Sequence, residues 1–351
     1  MEKRKRRRNP LLTFLIVLLC IMLLVLAAAF IIFRHYYNKS IFVDDDTITL
    51  DPNADYEAIE DSIQEAMENE AKANGENGDA IATLSPEEEE EIRKNAPTVV
   101  DLTEGDIAGT YNLLLIGVDR RDRSWNGNSD AMVLVTINQN VNKIFMTSFM
   151  RDLYAAIPNV GVRKLNHAYA IGAGPLLVDT IKRNYGVAID NYAHVDFEDM
   201  KTIIDIFGGV DITIKDYEVT PMAAYGITGP GTYHLDGKAA LAYSRIRYYG
   251  NSDFERTSRQ RAVLTAMMTR AKSMSLTEIS GMADQILPIV SHNIPATQVM
   301  KLIASMPGIL QYDVQQLRVP FDNSWHSVNE ILIPNNMNDT INQIRGTIYA
   351  R

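Results

Sequence analysis

From Leu11 to Phe33 the chain runs for 23 residues without a charge, and Thr13 and Cys20 are its only mildly polar members. At about 1.5 Å of rise per residue, a helix of that length covers the ~30 Å hydrocarbon core of a bilayer. Lys3, Arg4, Lys5, Arg6, Arg7 and Arg8 precede it, against Arg34 and Lys39 just after. That asymmetry predicts a cytoplasmic basic tail at 1–10, a transmembrane signal-anchor at 11–33 and an extracytoplasmic remainder. Ala27-Ala28-Ala29 resembles a cleavage site, but the apolar core of a cleaved signal normally spans only about 7–15 residues, so a retained anchor is expected. Cys20 is the one cysteine, which excludes an intrachain disulfide.

Charge then divides the outer part in two. Residues 40–106 carry 21 acidic against three basic side chains, whereas 107–351 are close to neutral. We read 34–109 as an acidic, flexible spacer with transient helix over Asp55–Ala73, patterned by Tyr56, Ile59, Ile63 and Met67. The remaining residues, 110–351, are long enough for one domain with a substantial core.

Within that domain Tyr111–Gly117, Ala131–Ile137 and Lys143–Ser148 read as strands, the last two separated by a turn-like Asn138–Asn142. Helical patterns follow at Pro175–Tyr185, Phe197–Phe207 and Asp253–Met274, then at Met282–Ser291 and Thr297–Met306. Gly208–Ile214 reads as a helix stop and a further strand, and Gln316–Val319 as a late one. Strands alternating with helices imply an α/β fold whose sheet is covered on both faces. There is no internal repeat and no Walker, Rossmann, zinc or Gly-x-Ser-x-Gly motif.

The densest chemistry lies in Ala242–Arg261. Arg245 and Arg247 alternate along what reads as a strand end, so both point to one side. Ser252-Asp-Phe-Glu255 has capping-box spacing, and Arg256, Arg259 and Gln260 follow on one face of the helix it opens. Two such guanidinium charges ~10 Å apart repel by roughly 1–2 kcal/mol, so crowding them calls for an anion or for internal carboxylates. A pyrophosphate fits the first requirement. Asp119 after the first strand and Asp130 before the second can meet at one end of the sheet, a hard-oxygen pair suited to Mg²⁺ as well as to plain turns. Arg151 ends the third strand, and Lys164 precedes Leu165–Ala170.

Together these stretches resemble the LytR-CpsA-Psr family of bacterial cell-envelope enzymes. The matching text is Leu115-Ile-Gly-Val-Asp-Arg-Arg121, Asn128-Ser-Asp130, Ser148-Phe-Met-Arg-Asp152 and Lys164–Ala170, followed by Phe207–Asp211, His234–Arg247 and Asp253–Gln260. The resemblance implies a three-layer α/β/α sandwich with a central mixed sheet and an apolar cavity for a polyprenyl chain. It implies a Mg²⁺-dependent phosphotransferase that moves a phospho-glycopolymer from an undecaprenyl-pyrophosphate carrier to a peptidoglycan hydroxyl, releasing undecaprenyl phosphate. By position, Asp119 and Asp130 match the metal-associated acids. Arg151, Lys164, Arg245, Arg247, Arg256 and Gln260 match the pyrophosphate-contacting set, and Arg121 matches a family arginine. Many members carry arginine where this chain has Asn128, a charge that Arg120 or Arg123 is near enough to replace. The alternatives are a polyprenyl-pyrophosphate hydrolase and a lipid-binding regulatory module without turnover. A nucleic-acid partner is not expected, since the outer domain is near neutral and lacks a helix-turn-helix signature.

Overall fold

A computed structural model describes residues 31–45, 55–73, 85–88, 90, 102–120, 125–246 and 252–351. Residues 1–30, which hold the basic tail and nearly all of the expected anchor, lie outside them. Among the described residues no helix is long and apolar enough to cross a membrane.

The chain enters as helix α1 (31–37), strand β1 (Ile41–Phe42) and helix α2 (Tyr56–Ala73). Three long neighbours follow: β2 (Thr110–Asp119), β3 (Asn128–Asn138) and β4 (Lys143–Phe149). A hairpin, β5 (Tyr154–Ile157) with β6 (Gly161–Lys164), leads into α3 (Asn166–Tyr185). This helix breaks at Gly172 and Ala173, and its second segment starts beside Pro175, where proline is well tolerated. Next come β7 (Asn191–Asp196), α4 (Phe197–Ile206) and a second hairpin of β8 (Val210–Ile214) with β9 (Gly231–Leu235). Helices α5 (Gly237–Ser244), α6 (Ser252–Lys272) and α7 (Leu276–Ile286) follow. The chain closes with β10 (Ser291–His292), α8 (Ala296–Ile309), β11 (Asp313–Val319), the hairpin β12 (Trp325–Val328) with β13 (Ile331–Pro334), and α9 (Met337–Ile348).

Seven strands form one mixed sheet in the order β1-β10-β7-β2-β3-β4-β11. Pairing is antiparallel for β2 with β3 and for β3 with β4, and parallel for β2 with β7 and for β4 with β11. Side chains alternate across the sheet. Leu114, Ile116 and Val118 of β2 face a dense core with Leu176, Leu177 and Ile181 of α3 and Ile344 of α9. Leu115 and Gly117 face the other layer, built from α4, α5 and α6.

That second layer is not filled. Cross-strand partners Gly117 and Ala131, with Ala193 on β7, give the sheet a shallow patch without bulky side chains. Opposite it, Phe197, Met200 and Ile203 of α4 and Val263, Leu264 and Met267 of α6 line an apolar cavity of about 230 Å³. The apolar runs of 197–207 and 253–274 therefore wall a cavity as well as a core. Gly117 helps keep it open, because a methyl group there would come within 3.0 Å of both Ala131 and the Phe197 ring.

Two described stretches of the segment read as an acidic spacer carry regular secondary structure and pack on the domain. Residues 41–42 add an edge strand beside β10. Tyr56–Ala73 is a helix whose Ile63 is buried and whose Glu60 takes a bidentate contact from Arg163 at 2.6 and 2.7 Å. Its acidity hid this docking, since one carboxylate among many meets its partner 103 residues away.

Candidate active site

A one-residue slip in the β2–β3 ladder builds the site. Gly117 pairs with Ala131 and Val118 with Ser129, which leaves Asp130 as an extra residue on β3. A bulge bends its strand and re-aims the side chain it carries. Asp130 consequently meets groups on α6, on the cavity side of the sheet. Asp119 ends β2 directly opposite Asn128, so both acids and Asn128 gather at one end of the sheet.

Four cations converge there. The Asp130 carboxylate lies 3.4 Å from Arg151 Nη1 and 3.6 Å from Arg256 Nη1, and Gln260 Nε2 donates to its backbone carbonyl at 3.4 Å. Asp119 accepts from Arg245 Nη2 at 3.0 Å, while the Arg245 guanidinium lies over the Phe197 ring at 5.4 Å. Arg151 also pairs with Asp152 at 3.3 Å, and Arg256 with Asp253 at 3.5 Å. Lys164, at the end of the β5–β6 hairpin, joins through Asp152 at 3.5 Å and is held on its far side by Glu330 at 2.9 Å. The crowded cations are thus interleaved with carboxylates.

Arg245 reaches the cluster by a different route from the one its alternation with Arg247 predicts. It caps the C-terminus of α5, not a strand, because Asp236 accepts from Ala239 N–H and starts a helix through an alanine-rich run. A cation is also favoured at that helix end. Arg259 departs as well. Around α6 it sits about 100° from Gln260, and its guanidinium turns to buried Glu218 at 2.7 Å instead of joining Arg256. Arg120 does not replace the missing arginine at 128: it binds Asp196 at 3.1 Å and the Trp125 carbonyl at 3.1 Å. Arg121, Arg123 and Arg247 lie outside the described residues.

The cluster adjoins the apolar cavity. Gly117 lies two residues before Asp119, Ser244 precedes Arg245, Gln260 contacts Asp130, and all three line the cavity wall. A charged cluster beside an apolar pocket suits an amphiphile with an anionic head.

The LytR_cpsA_psr family model matches residues 75–345. The chain belongs to this family. Over 190 residues it is 38% identical to a protein of Oceanobacillus iheyensis named polyisoprenyl-teichoic acid–peptidoglycan teichoic acid transferase TagU, covering 52% of this chain and 57% of that one. Over 227 residues it is 32% identical to the regulatory protein MsrR of Staphylococcus aureus, covering 63% and 68%. A solved structure of TagT bound to LIIa-WTA superposes with a TM-score of 0.58 at 25% identity, covering 73% of this chain and 96% of that one. The chain therefore spans little more than half the length of the TagU relative. The α/β fold with a central mixed sheet is the fold of the family.

Asp152 and Asp253, both inside the matching stretches but given no role there, also belong to the cluster. Asp253 was legible, since its i,i+3 spacing to Arg256 places the two side by side on a helix. His167 was not. It is buried, its Nδ1 has no hydrogen-bond partner, and its pKa falls to about 4 through burial and then through the charges of Lys164, Arg163 and Arg151. It is neutral at pH 7. For a metal, Asp119, Asn128 and Asp130 offer hard oxygens, and Asn128 Oδ1 is buried without a hydrogen-bond partner. Among the described residues no three acidic, His or Cys side chains cluster tightly enough to hold an ion alone. The donor set therefore fits Mg²⁺ where phosphate oxygens and water complete the shell.

Burial pushes the Asp152 carboxyl above its ordinary range against the opposing charges of Arg151 and Lys164, and Asp253 beside it adds to the rise. Neutral Asp152 leaves the two cations in surplus; ionised Asp152 offsets them. A raised pKa keeps the proton on to higher pH, so anion affinity is full below that pKa and falls as pH rises through it. Calorimetry with inorganic pyrophosphate should show this fall in the parent protein and not in Asp152→Asn. Comparing the two at each pH cancels the ionisation of the ligand. Parallel profiles would remove Asp152 from the site.

Proposed function

We propose that this chain is an extracytoplasmic, membrane-anchored phosphotransferase with its N-terminus in the cytoplasm. It moves a phospho-glycopolymer from a polyprenyl-pyrophosphate carrier to a peptidoglycan hydroxyl and releases undecaprenyl phosphate. The observation that carries this reading is the ion-paired rim beside the apolar cavity, with the diphosphate assigned to one and the lipid chain to the other. The names of the TagU relative and of the TagT complex support a teichoic-acid donor and a wall acceptor.

In this mechanism the acceptor oxygen attacks the phosphorus bearing the glycan. The bond to the bridging oxygen breaks, and the electron pair leaves with polyprenyl phosphate. The acceptor proton passes to a carboxylate at the rim, Asp119 or Asp130. Arg151, Arg245 and Arg256 neutralise the charge that grows on the leaving phosphate, the main task in phosphoryl transfer. Asp119 and Asp130 would hold a Mg²⁺ ion, which would supply further Lewis-acid stabilisation of that charge. Lys164 and Gln260 orient the headgroup.

The test supplies lipid-linked glycan, Mg²⁺ and peptidoglycan oligomers to the purified chain. We expect a covalent conjugate by mass spectrometry, and a rate about 10²-fold lower for Arg245→Ala. The Arg245 side chain is 37% exposed, so its loss should leave the thermal midpoint nearly unchanged. Release of free glycan phosphate without conjugation would make the chain a hydrolase, and an unaltered rate in Arg245→Ala would reject the headgroup site.

A further inference from the structure

Large apolar side chains left in solvent gather at one end of the molecule. Of those on the described surface, all but Tyr217 and Tyr225 lie on α1, β1, α7 and α8. These elements touch. His35 lies 3.8 Å from Asp284 of α7, Tyr37 Oη donates to the Ile294 carbonyl at 3.1 Å just before α8, and β1 pairs with β10.

Helix α8 spans the width of this end. It leaves β10, whose His292 neighbours Ala193, and delivers the chain to Asp313 opposite Lys143. Its 14 residues extend about 21 Å, close to the ~24 Å occupied by the five strand spacings from β10 to β11. Both of its ends lie at the Thr110 end of the sheet, opposite Asp119. Met300, Ile303 and Met306 recur at three-residue spacing on α8, exposed by 46, 57 and 43%, and Ile309 is its only buried residue. Lys301 and Ser305 take the other side.

We infer that the α7–α8 end is a docking surface for the lipid bilayer. The inference rests on reading Leu11–Phe33 as a membrane span. In sequence that apolar run continues into α1, whose seven described residues extend about 10 Å and contact α7 through the last turn and the residues after it. The end of the span and the exposed apolar face therefore belong to the same side of the domain. Phe33, Tyr37 and Phe42 cluster between them, the residue types that favour the membrane–water interface. The ten-residue β2 then sets the ion-paired rim about 30 Å from this surface. The cavity lies between them, and Ile286 and Val290 of the docked end form part of its wall. A polyprenyl chain bound with its head at the rim would run back toward the bilayer it came from.

The test uses the full chain reconstituted in vesicles of phosphatidylglycerol and phosphatidylethanolamine. An environment-sensitive dye is attached to native Cys20, or, in a Cys20→Ser background, to Ile303→Cys or Tyr225→Cys. We expect nitroxide-labelled lipid to quench the dye at 20 and 303, and aqueous iodide to quench it at 225. Combined Met300→Gln, Ile303→Gln and Met306→Gln should slow transfer from bilayer-embedded donor roughly tenfold and leave transfer from detergent-solubilised donor unchanged. Iodide quenching at 303 with lipid quenching at 20 would overturn the docking surface alone. Shielding of 303 from both quenchers would mean that protein covers it, a second copy included, and overturns it as well. Loss of lipid quenching at 20 would overturn the span on which the inference rests.

Discussion

Replacing Asp130 with asparagine should remove transfer activity and lower stability together, and added pyrophosphate should restore part of the stability. Asp130 is 8% exposed and stands between Arg151 and an Arg256 side chain that is 3% exposed. Breaking a buried ion pair costs about 3–5 kcal/mol, because the remaining charge stays desolvated. Arg151 keeps Asp152 and Arg256 keeps Asp253, so we expect a value near the lower end. For a domain of this size each kcal/mol lowers the thermal midpoint by roughly 2–4 °C. The rate should fall about 10²- to 10³-fold, the usual consequence of losing one preorganised electrostatic group.

The response to pyrophosphate makes this prediction specific. An anion that enters the cluster supplies the negative charge the variant lacks, so it should raise the midpoint further in Asp130→Asn than in the parent protein. Differential scanning fluorimetry across a pyrophosphate series reads this directly. Equal shifts in the two proteins would mean that Arg151 and Arg256 serve the fold and not a phosphate.

How much of this was readable beforehand depends on where each signal resides. The strands β2, β3 and β4 are apolar runs closed by glycine or turn residues, and they lie where the sequence indicates. The Asp119–Asp130 juxtaposition followed from treating the first two strands as neighbours. The bulge that aims Asp130 at α6 did not, because a register slip leaves no mark in residue types. Strand β7, Asn-Tyr-Ala-His-Val-Asp, was invisible for a related reason: it has no clean period and becomes a strand through parallel pairing with β2. The error over Arg245 had another source. Two arginines with one residue between them mimic a strand, while Asp236 as a helix cap nine residues earlier carries the decisive information. On α6 the grouping of Arg256 with Arg259 ignored the roughly 100° that separates Arg259 from Gln260, and that angle sends Arg259 to Glu218.

That misassigned arginine supports the largest stability effect we expect. Arg259 is 1% exposed and Glu218 is fully buried, with Nε donating to the carboxylate at 2.7 Å. Arg259 Nη1 donates to the Ile246 carbonyl at 2.7 Å, one residue beyond Arg245. The pair thus braces the segment that presents Arg245 to Asp119. Glu218→Ala strands a guanidinium in the core and should cost about 3–5 kcal/mol. Replacing both charges, with Glu218→Leu and Arg259→Met, removes the buried charge altogether and should recover most of that loss, because apolar residues of similar volume often substitute for a buried ion pair without penalty. Transfer should recover less than stability, since the Ile246 carbonyl still lacks its donor and the Arg245 segment is held less firmly. Chemical denaturation and transfer rates measured on the two variants separate these contributions. A double variant as unstable as Glu218→Ala would show that the bond to Ile246, and not the charge pair, holds this part of the fold.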